Sequence, residues 1–229
     1  MGPVLTFNRR FTALVFDLDG TLIDSVPQVA WAMNRVFAED GLALVSLDEV
    51  RAAVGFGARA MFDKTLASRR TDVNIDEMIR RYIAAYQEDP AVETVVYDEV
   101  REVLTEFSAS GVLMGVCTNK PSRITDAVLR ALDLDRFFGV VVAADDTPFM
   151  KPDGRHVLAV LDALMVDTER AVLVGDSETD VSAGQSAGLA TVAVTYGYCH
   201  VPFAELGADV LIDTFGKLPN ALCALSRAA

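Results

Sequence analysis

Short apolar runs rich in β-branched residues recur along this chain: Ala13–Phe16, Leu113–Cys117, Val140–Val142, Ala171–Val174, Thr191–Val194 and Val210–Ile212. None alternates strictly between apolar and polar positions, the pattern of strands covered on both faces. Helical spacing fills the intervals. Val100, Val103, Leu104 and Phe107 share one face, with Gly111 as a stop signal. Ile124, Ala127, Val128 and Ala131 form a second face behind Pro121, expected in a first helical turn. Val157, Leu158, Leu161 and Leu164 form a third. Strand patterns alternating with helical ones predict a parallel sheet flanked by helices.

One stretch breaks the alternation. From Val26 to Glu93 the spacing is helical and predicts no strand. Met33, Val36 and Phe37, followed by Gly41, belong to one helix, and Met61, Phe62, Thr65 and Leu66 to another. Met78, Ile79, Tyr82, Ile83 and Tyr86 belong to a third. The expected organisation is a discontinuous α/β unit, residues 1–22 and 94–229, into which residues 23–93 are inserted as an all-α module.

Charge narrows the range of functions. The 229 residues carry 20 Lys and Arg against 33 Asp and Glu, a formal charge of −13. That balance argues against non-specific nucleic-acid binding, which relies on Lys and Arg neutralising phosphates, and against anionic lipid. A small anionic substrate remains compatible, because a local metal ion or lysine overrides the mean field. Cys117, Cys199 and Cys223 are scattered and lack a CxxC spacing, as in a reduced protein without structural zinc. Met1 to Arg10 has no signal-peptide layout, and no apolar run approaches the ~20 residues of a membrane helix. The expectation is a cytoplasmic protein, monomer or homodimer, engaging neither nucleic acid nor membrane.

The polar residues that follow the apolar runs carry the chemistry. The first run leads into Asp17-Leu18-Asp19-Gly20-Thr21, two carboxylates past the carboxyl end of a strand, where open α/β sheets place ligands. Alone, such a pair is compatible with a helix-capping loop. An EF-hand loop is excluded, since Leu22 and Gln28 stand where its glycine and bidentate glutamate belong. Leu113–Cys117 leads into Thr118-Asn119-Lys120, and Ala171–Val174 into Gly175-Asp176-Ser177-Glu178-Thr179-Asp180. Between them, Lys151-Pro152 opens a helical pattern. One sheet edge would then gather carboxylates for a hard cation beside a hydroxyl and a lysine for phosphate oxygens.

The ordered set Asp17-x-Asp19-Gly20-Thr21, Thr118-Asn119, Lys151-Pro152 and Gly175-Asp176-x-x-x-Asp180 resembles the four motifs of the haloacid dehalogenase-like phosphohydrolase superfamily. The resemblance spans nearly the whole chain. The helical insert resembles the cap of that superfamily's first cap class. Asn119-Lys120-Pro121 and Gly175-Asp176-Ser177 are most similar to its phosphoglycolate phosphatase branch. What the resemblance implies is an α/β fold, a Rossmann-like doubly wound parallel sheet with an inserted α-helical cap. It implies Mg²⁺-dependent hydrolysis of a small phosphorylated metabolite, phosphoglycolate foremost, through an aspartyl-phosphate. Asp17 would be the nucleophile, and Asp19 would protonate the leaving oxygen and then activate water. The Asp17 carboxylate, the Asp19 backbone carbonyl and Asp176 would hold Mg²⁺. Thr118, Asn119 and Lys151 would bind the substrate, with Asp180 supporting Lys151 or a water. The chain departs from the branch at Val96-Tyr97-Asp98-Glu99 and at Lys151-Pro152-Asp153-Gly154, where Pro-Tyr-Pro-Gly and a proline after the third residue are frequent. Neither departure touches a reacting group.

Electrostatics asks for the same parts. A carboxylate attacks a dianionic phosphate only if a cation and a lysine offset the repulsion and stabilise charge on the equatorial oxygens. A covalent intermediate then splits one difficult displacement into two easier ones, with a second carboxyl as acid and later base. In the insert, Gly55-Phe56-Gly57-Ala58-Arg59-Ala60 fits GxGxxA, but no strand precedes it, so a dinucleotide site is not expected. Two readings stay open: a cap loop reaching the site with Arg59 near a substrate anion, or a helix turn with an exposed arginine. His156 and His200 are poor partners for Mg²⁺, and Cys117 reads as a core residue. A sugar-phosphate mutase of the β-phosphoglucomutase type and a catalytically silent regulatory protein are the rival functions. A dehalogenase would dispense with Asp19, and a phosphonatase would need Lys64, the insert's one lysine, for a Schiff base.

Overall fold

In β1 (Ala13–Phe16), Leu14 and Phe16 enter one hydrophobic cluster while Ala13 and Val15 enter another on the opposite face of the sheet. All four side chains are fully buried, which is why the run shows no polar alternation. The computed structural model describes residues 10–69 and 72–226; most of the Met1–Arg10 segment read above lies outside the described residues. After β1 the chain passes through β2 (Ile23–Asp24) into four helices. These are α1 (Val26–Glu39), α2 (Leu47–Ala53), α3 (Ala58–Leu66) and α4 (Ile75–Glu88). It returns through β3 (Val95–Val96), α5 (Val100–Ala109), β4 (Leu113–Cys117), α6 (Ser122–Ala131) and β5 (Val140–Val142). Then follow α7 (Gly154–Leu164), β6 (Ala171–Gly175), α8 (Glu178–Ala187), β7 (Ala190–Val194), α9 (Phe203–Leu206), β8 (Val210–Ile212) and α10 (Leu218–Leu225).

Six strands form one parallel sheet in the order β5-β4-β1-β6-β7-β8. Counting only these strands, the order is that of a doubly wound, Rossmann-like fold, with the topological switch between β1 and β6. The four helices of the insert leave and rejoin this sheet through a two-stranded antiparallel ribbon, Ile23 opposite Val96 and Asp24 opposite Val95. Two-residue strands are too short to leave a periodic trace, so the ribbon escaped the hydrophobic pattern. Gln28, fully buried in α1, steadies the same junction: its amide donates to the Asp89 carbonyl at 2.6 Å and accepts from the Glu93 N–H at 2.8 Å.

The residues expected on helical faces are buried in α1, α3 and α5, including Met33, Phe37, Met61, Phe62, Val103 and Phe107. In α6 the buried face is Ile124, Thr125, Val128 and Leu129, not the alanines; Pro121 stands at the N-cap, one position before the helix. Helix α2 was not expected. It begins at a capping box, Ser46 Oγ accepting from the Glu49 N–H while the Glu49 carboxylate accepts from the Ser46 N–H. Within the insert, Phe37, Phe62, Tyr82 and Tyr86 form a chain of ring contacts with centroids 5.6–6.1 Å apart. No helix among the described residues is long and apolar enough to cross a membrane.

Candidate active site

The loops after β1, β4 and β6 meet at the carboxyl edge of the sheet, beside the switch point. Asp17 follows β1 directly, Thr118 follows β4 and Asp176 follows β6, so neighbouring strands deliver one chemical group each. All three are buried. The turn after Asp19 requires glycine: Gly20 has φ of +86°, and a Cβ there would lie 2.2 Å from Asp176 Oδ2. Gly154 has a packing reason of its own. A Cβ there would come within 2.7 Å of the Ala187 amide, so α7 approaches α8 too closely for the proline frequent in the branch.

Lys151 occupies the centre. Its ammonium lies 2.5 Å from Asp17 Oδ1 and 2.6 Å from Asp180 Oδ1, with every partner nine-tenths buried or more. Burial alone would lower the Lys151 pKa, but the two carboxylates outweigh it and hold the ammonium charged. Asp180 serves two partners at once. Its Oδ2 accepts from the Asp176 and Ser177 N–H groups and from Ser177 Oγ at the N-terminus of α8, which fixes the oxygen facing Lys151. Burial, only partly offset by Lys151, pushes the Asp17 carboxyl up to about 7. Burial together with Asp180 and Asp17 raises Asp176 well above the usual carboxylate range. Burial also pushes the Cys117 thiol up to about 12, in keeping with a core residue.

Asp17, Asp176 and Asp180 present carboxylate oxygens within 4.8 Å of one another. Three buried carboxylates beside one ammonium leave negative charge uncompensated; burial first, and the neighbouring carboxylates after it, raise the pKa of Asp17 and Asp176. An all-oxygen, anionic donor set of this kind fits a hard divalent cation.

Asp19, two positions after Asp17, faces the same cleft. Its carboxylate accepts from Ser25 Oγ at 2.5 Å and from Lys120 Nζ at 3.0 and 3.1 Å. Lys120 in turn donates to the Tyr86 hydroxyl at 3.3 Å and sits 4.7 Å from the centroid of its ring. The aromatic chain of the insert therefore ends on a lysine of the sheet edge. Between insert and sheet lies a cleft lined by Asp17, Asp19, Thr118, Asn119 and Lys120 below, and by Gly55, Gly57, Ala58, Met61 and Tyr82 above.

The predicted residues thus divide into three groups. Asp17, Lys151, Asp176 and Asp180 are in direct contact or close approach, and Asp19 and Thr118 line the cleft beside them. Asn119 also lines the cleft, but its side chain is spent on the Lys151 backbone and on the Gly55 carbonyl, not turned to a ligand. Arg59 is not brought to the site: it points to the surface and pairs with Asp76 at 2.6 Å. Two contributors went unread. Lys120 was visible only as part of a motif string, with no signal to separate it from an ordinary surface lysine. Tyr198, whose N–H donates to Asp176 Oδ2 at 2.5 Å and whose hydroxyl donates to Asp24 at 2.6 Å, is a loop aromatic without pattern.

A doubly wound core whose switch-point crevice holds two aspartates, a hydroxyl and a lysine under a helical insert defines a hydrolase class. The pattern of the haloacid dehalogenase-like hydrolase family matches residues 14–194, and this chain belongs to that family. It is 38% identical to the phosphoglycolate phosphatase of Caulobacter vibrioides over 215 residues, 93% of this chain and 91% of that one. Among solved structures, a predicted phosphoglycolate phosphatase from Haemophilus somnus superposes with a TM-score of 0.86 at 28% identity, covering 93% and 98% of the two chains. CbbY from Rhodobacter sphaeroides, in complex with phosphate, gives 0.81 at 27% identity over 91% and 96%.

Proposed function

We propose that this protein is a phosphoric monoester hydrolase, Mg²⁺-dependent, that removes the phosphoryl group of phosphoglycolate through an aspartyl-phosphate on Asp17. The observation that carries this reading is the placement of Asp17 against Lys151 at 2.5 Å, beside Thr118 and Asp176 and two positions before Asp19. The names of the similar proteins support the substrate. Residues 1–22 and 94–229 would form the catalytic core, and residues 23–93 the cap.

In this reading Asp17 attacks phosphorus, and the ester oxygen leaves with a proton from Asp19. Asp19 then takes a proton from the water that opens the aspartyl-phosphate and releases inorganic phosphate. Lys151 and the Thr118 hydroxyl hold the phosphoryl oxygens on which charge accumulates. Asp180 keeps the Lys151 ammonium aimed at Asp17. Mg²⁺ would sit on the Asp17 carboxylate, the Asp19 carbonyl and Asp176, and would supply charge neutralisation between the attacking carboxylate and the phosphoryl group. The insert would cover the cleft and keep bulk water out while the phosphoryl group passes to Asp17, leaving room beside Asp19 for the one water that hydrolyses the aspartyl-phosphate.

The test is turnover of phosphoglycolate and a panel of phosphorylated metabolites with Mg²⁺ and with chelator, together with rapid quench. The expected result is metal-dependent release of inorganic phosphate and a phosphorylated Asp17 peptide, both absent in Asp17→Asn. Normal turnover by Asp17→Asn would overturn the nucleophile. Phosphoryl transfer to a second sugar phosphate instead of water would make the protein a mutase.

A further inference from the structure

Lys120 has no assigned part in the chemistry above, yet it is a buried cation on the wall of the cleft. Its side chain is 3% exposed. Among the described residues lining the cleft it alone carries a cationic side chain. Lys151 lies beneath, already held by two carboxylates, and is committed to the phosphoryl end. Lys120 has one carboxylate partner, Asp19, and its other polar neighbour is the neutral Tyr86 hydroxyl. Burial raises the pKa of both Tyr82 and Tyr86, so that wall contributes no anion. The rest of the roof is apolar or backbone: Val29, Val54, Gly55, Gly57, Ala58 and Met61.

Distance then restricts what Lys120 reaches. The acid Asp19 has to lie within hydrogen-bond reach, about 3 Å, of the oxygen that leaves phosphorus. Lys120 Nζ is 3.0 and 3.1 Å from the two Asp19 oxygens. The leaving oxygen and the ammonium are therefore within about 6 Å of each other. A carboxylate on the carbon next to the ester oxygen puts its own oxygens about 3 Å from that atom, given C–C bonds near 1.5 Å. That closes the remaining gap to a charge-assisted hydrogen bond of about 3 Å.

We infer that Lys120 is the specificity-determining cation of this site, and that the substrates it selects are phosphate esters of 2-hydroxy carboxylic acids. The inference rests on the phosphatase reading above and deepens it. It transfers to Lys120 the role that the sequence suggested for Arg59. The carboxylate enters a buried position where a single ammonium waits with one partner. A leaving group without charge gains nothing there, and 3-phosphooxypropionate, with its carboxylate a carbon farther out, should be the poorer substrate of the two acids; equal preference for both would overturn the 2-hydroxy acid class.

The experiment compares phosphoglycolate, its uncharged amide analogue phosphoglycolamide, 3-phosphooxypropionate and ethyl phosphate, with wild-type protein and with Lys120→Met and Lys120→Arg. Wild type should favour phosphoglycolate over the amide and over ethyl phosphate by roughly ten- to a hundred-fold in kcat/KM, the worth of one charge-assisted hydrogen bond. Lys120→Met should collapse that ratio, mainly through KM, and Lys120→Arg should restore part of it. Loss of the Asp19 contact slows every substrate alike and cancels in the ratio. An unchanged ratio in Lys120→Met, or equal wild-type turnover of phosphoglycolate and its amide, overturns the inference. If Lys120→Met fails to fold, the wild-type comparison of acid and amide decides alone. A wild type that turns over ethyl phosphate but not phosphoglycolate would instead remove the substrate reading on which the inference stands.

Discussion

Asn119 holds the backbone of Lys151 from both sides: its Oδ1 accepts from the Lys151 N–H at 2.9 Å and its Nδ2 donates to the Lys151 carbonyl at 2.8 Å. The same Nδ2 donates to the Gly55 carbonyl of the insert at 2.9 Å. One amide therefore ties together the loop after β4, the lysine that faces Asp17, and the Gly55 loop of the insert. Positions 119 and 151 are 32 residues apart, and the contact mimics one rung of a β-ladder.

Removing that amide leaves a buried N–H and a buried carbonyl without partners, at about 1–3 kcal/mol each before relaxation. Asn119→Ala should lower the melting temperature by several degrees and reduce kcat, because the Lys151 ammonium loses its fixed origin. Thermal unfolding and steady-state kinetics check both. Unchanged values for the two would mean that the Lys151 loop holds its shape without Asn119.

The two acids near Asp17 should separate in a metal titration. Asp176 presents its carboxylate to the cluster, whereas the Asp19 carboxylate is turned to Ser25 and Lys120. Calorimetric titration with Mg²⁺ should therefore find affinity strongly weakened in Asp176→Ala and largely kept in Asp19→Asn, although both lose turnover. Equal weakening in the two variants would contradict the division of roles.

Stability should depend on pH in a direction set by Asp17. Its carboxyl is raised from 3.8 to about 7 in the folded protein by burial. A raised pKa means that the folded state binds the proton more tightly than the unfolded one. The contribution is complete below about pH 4 and is lost as pH rises towards 7, on the order of a few kcal/mol. Lys151, raised above its ordinary value, titrates far above this window and does not offset the loss. The chelated protein should melt at a lower temperature at pH 8 than at pH 5, and added Mg²⁺ should recover more at pH 8. A metal-free melting temperature that rises over the same interval would contradict the assignment.

The sheet and its chemical edge were legible because each strand is a local apolar run, and each motif follows its strand within a few residues. Asp17, Thr118 and Asp176 need no long-range information to be placed once their strands are. What escaped depends on tertiary contact. The β2–β3 ribbon has two residues per strand, and its pairing joins positions more than 70 residues apart. Lys120 gains meaning only when α4 brings Tyr86 over it, and Tyr198 only when the loop after β7 folds back on Asp176. Helix α2 was readable in principle, since Ser46 and Glu49 spell its capping box; its few buried residues, Val50 and Ala53, left too weak a face to find.

Arg59 tests how far a motif string can mislead. It follows Gly55 and Gly57 of the insert and stands in the first turn of α3, so spacing alone points it towards the cleft. The structure gives its guanidinium to Asp76, in the first turn of α4, with side chains 54% and 77% exposed. Exposed pairs of this kind contribute little to stability and leave the site untouched. Arg59→Ala should therefore shift KM for phosphoglycolate and for para-nitrophenyl phosphate by the same small factor, below about three-fold, the opposite of the carboxylate-selective loss expected of Lys120→Met. A rise in KM confined to phosphoglycolate would mean that the arginine leaves Asp76 and enters the cleft when substrate binds, and Lys120 would then share the carboxylate with it.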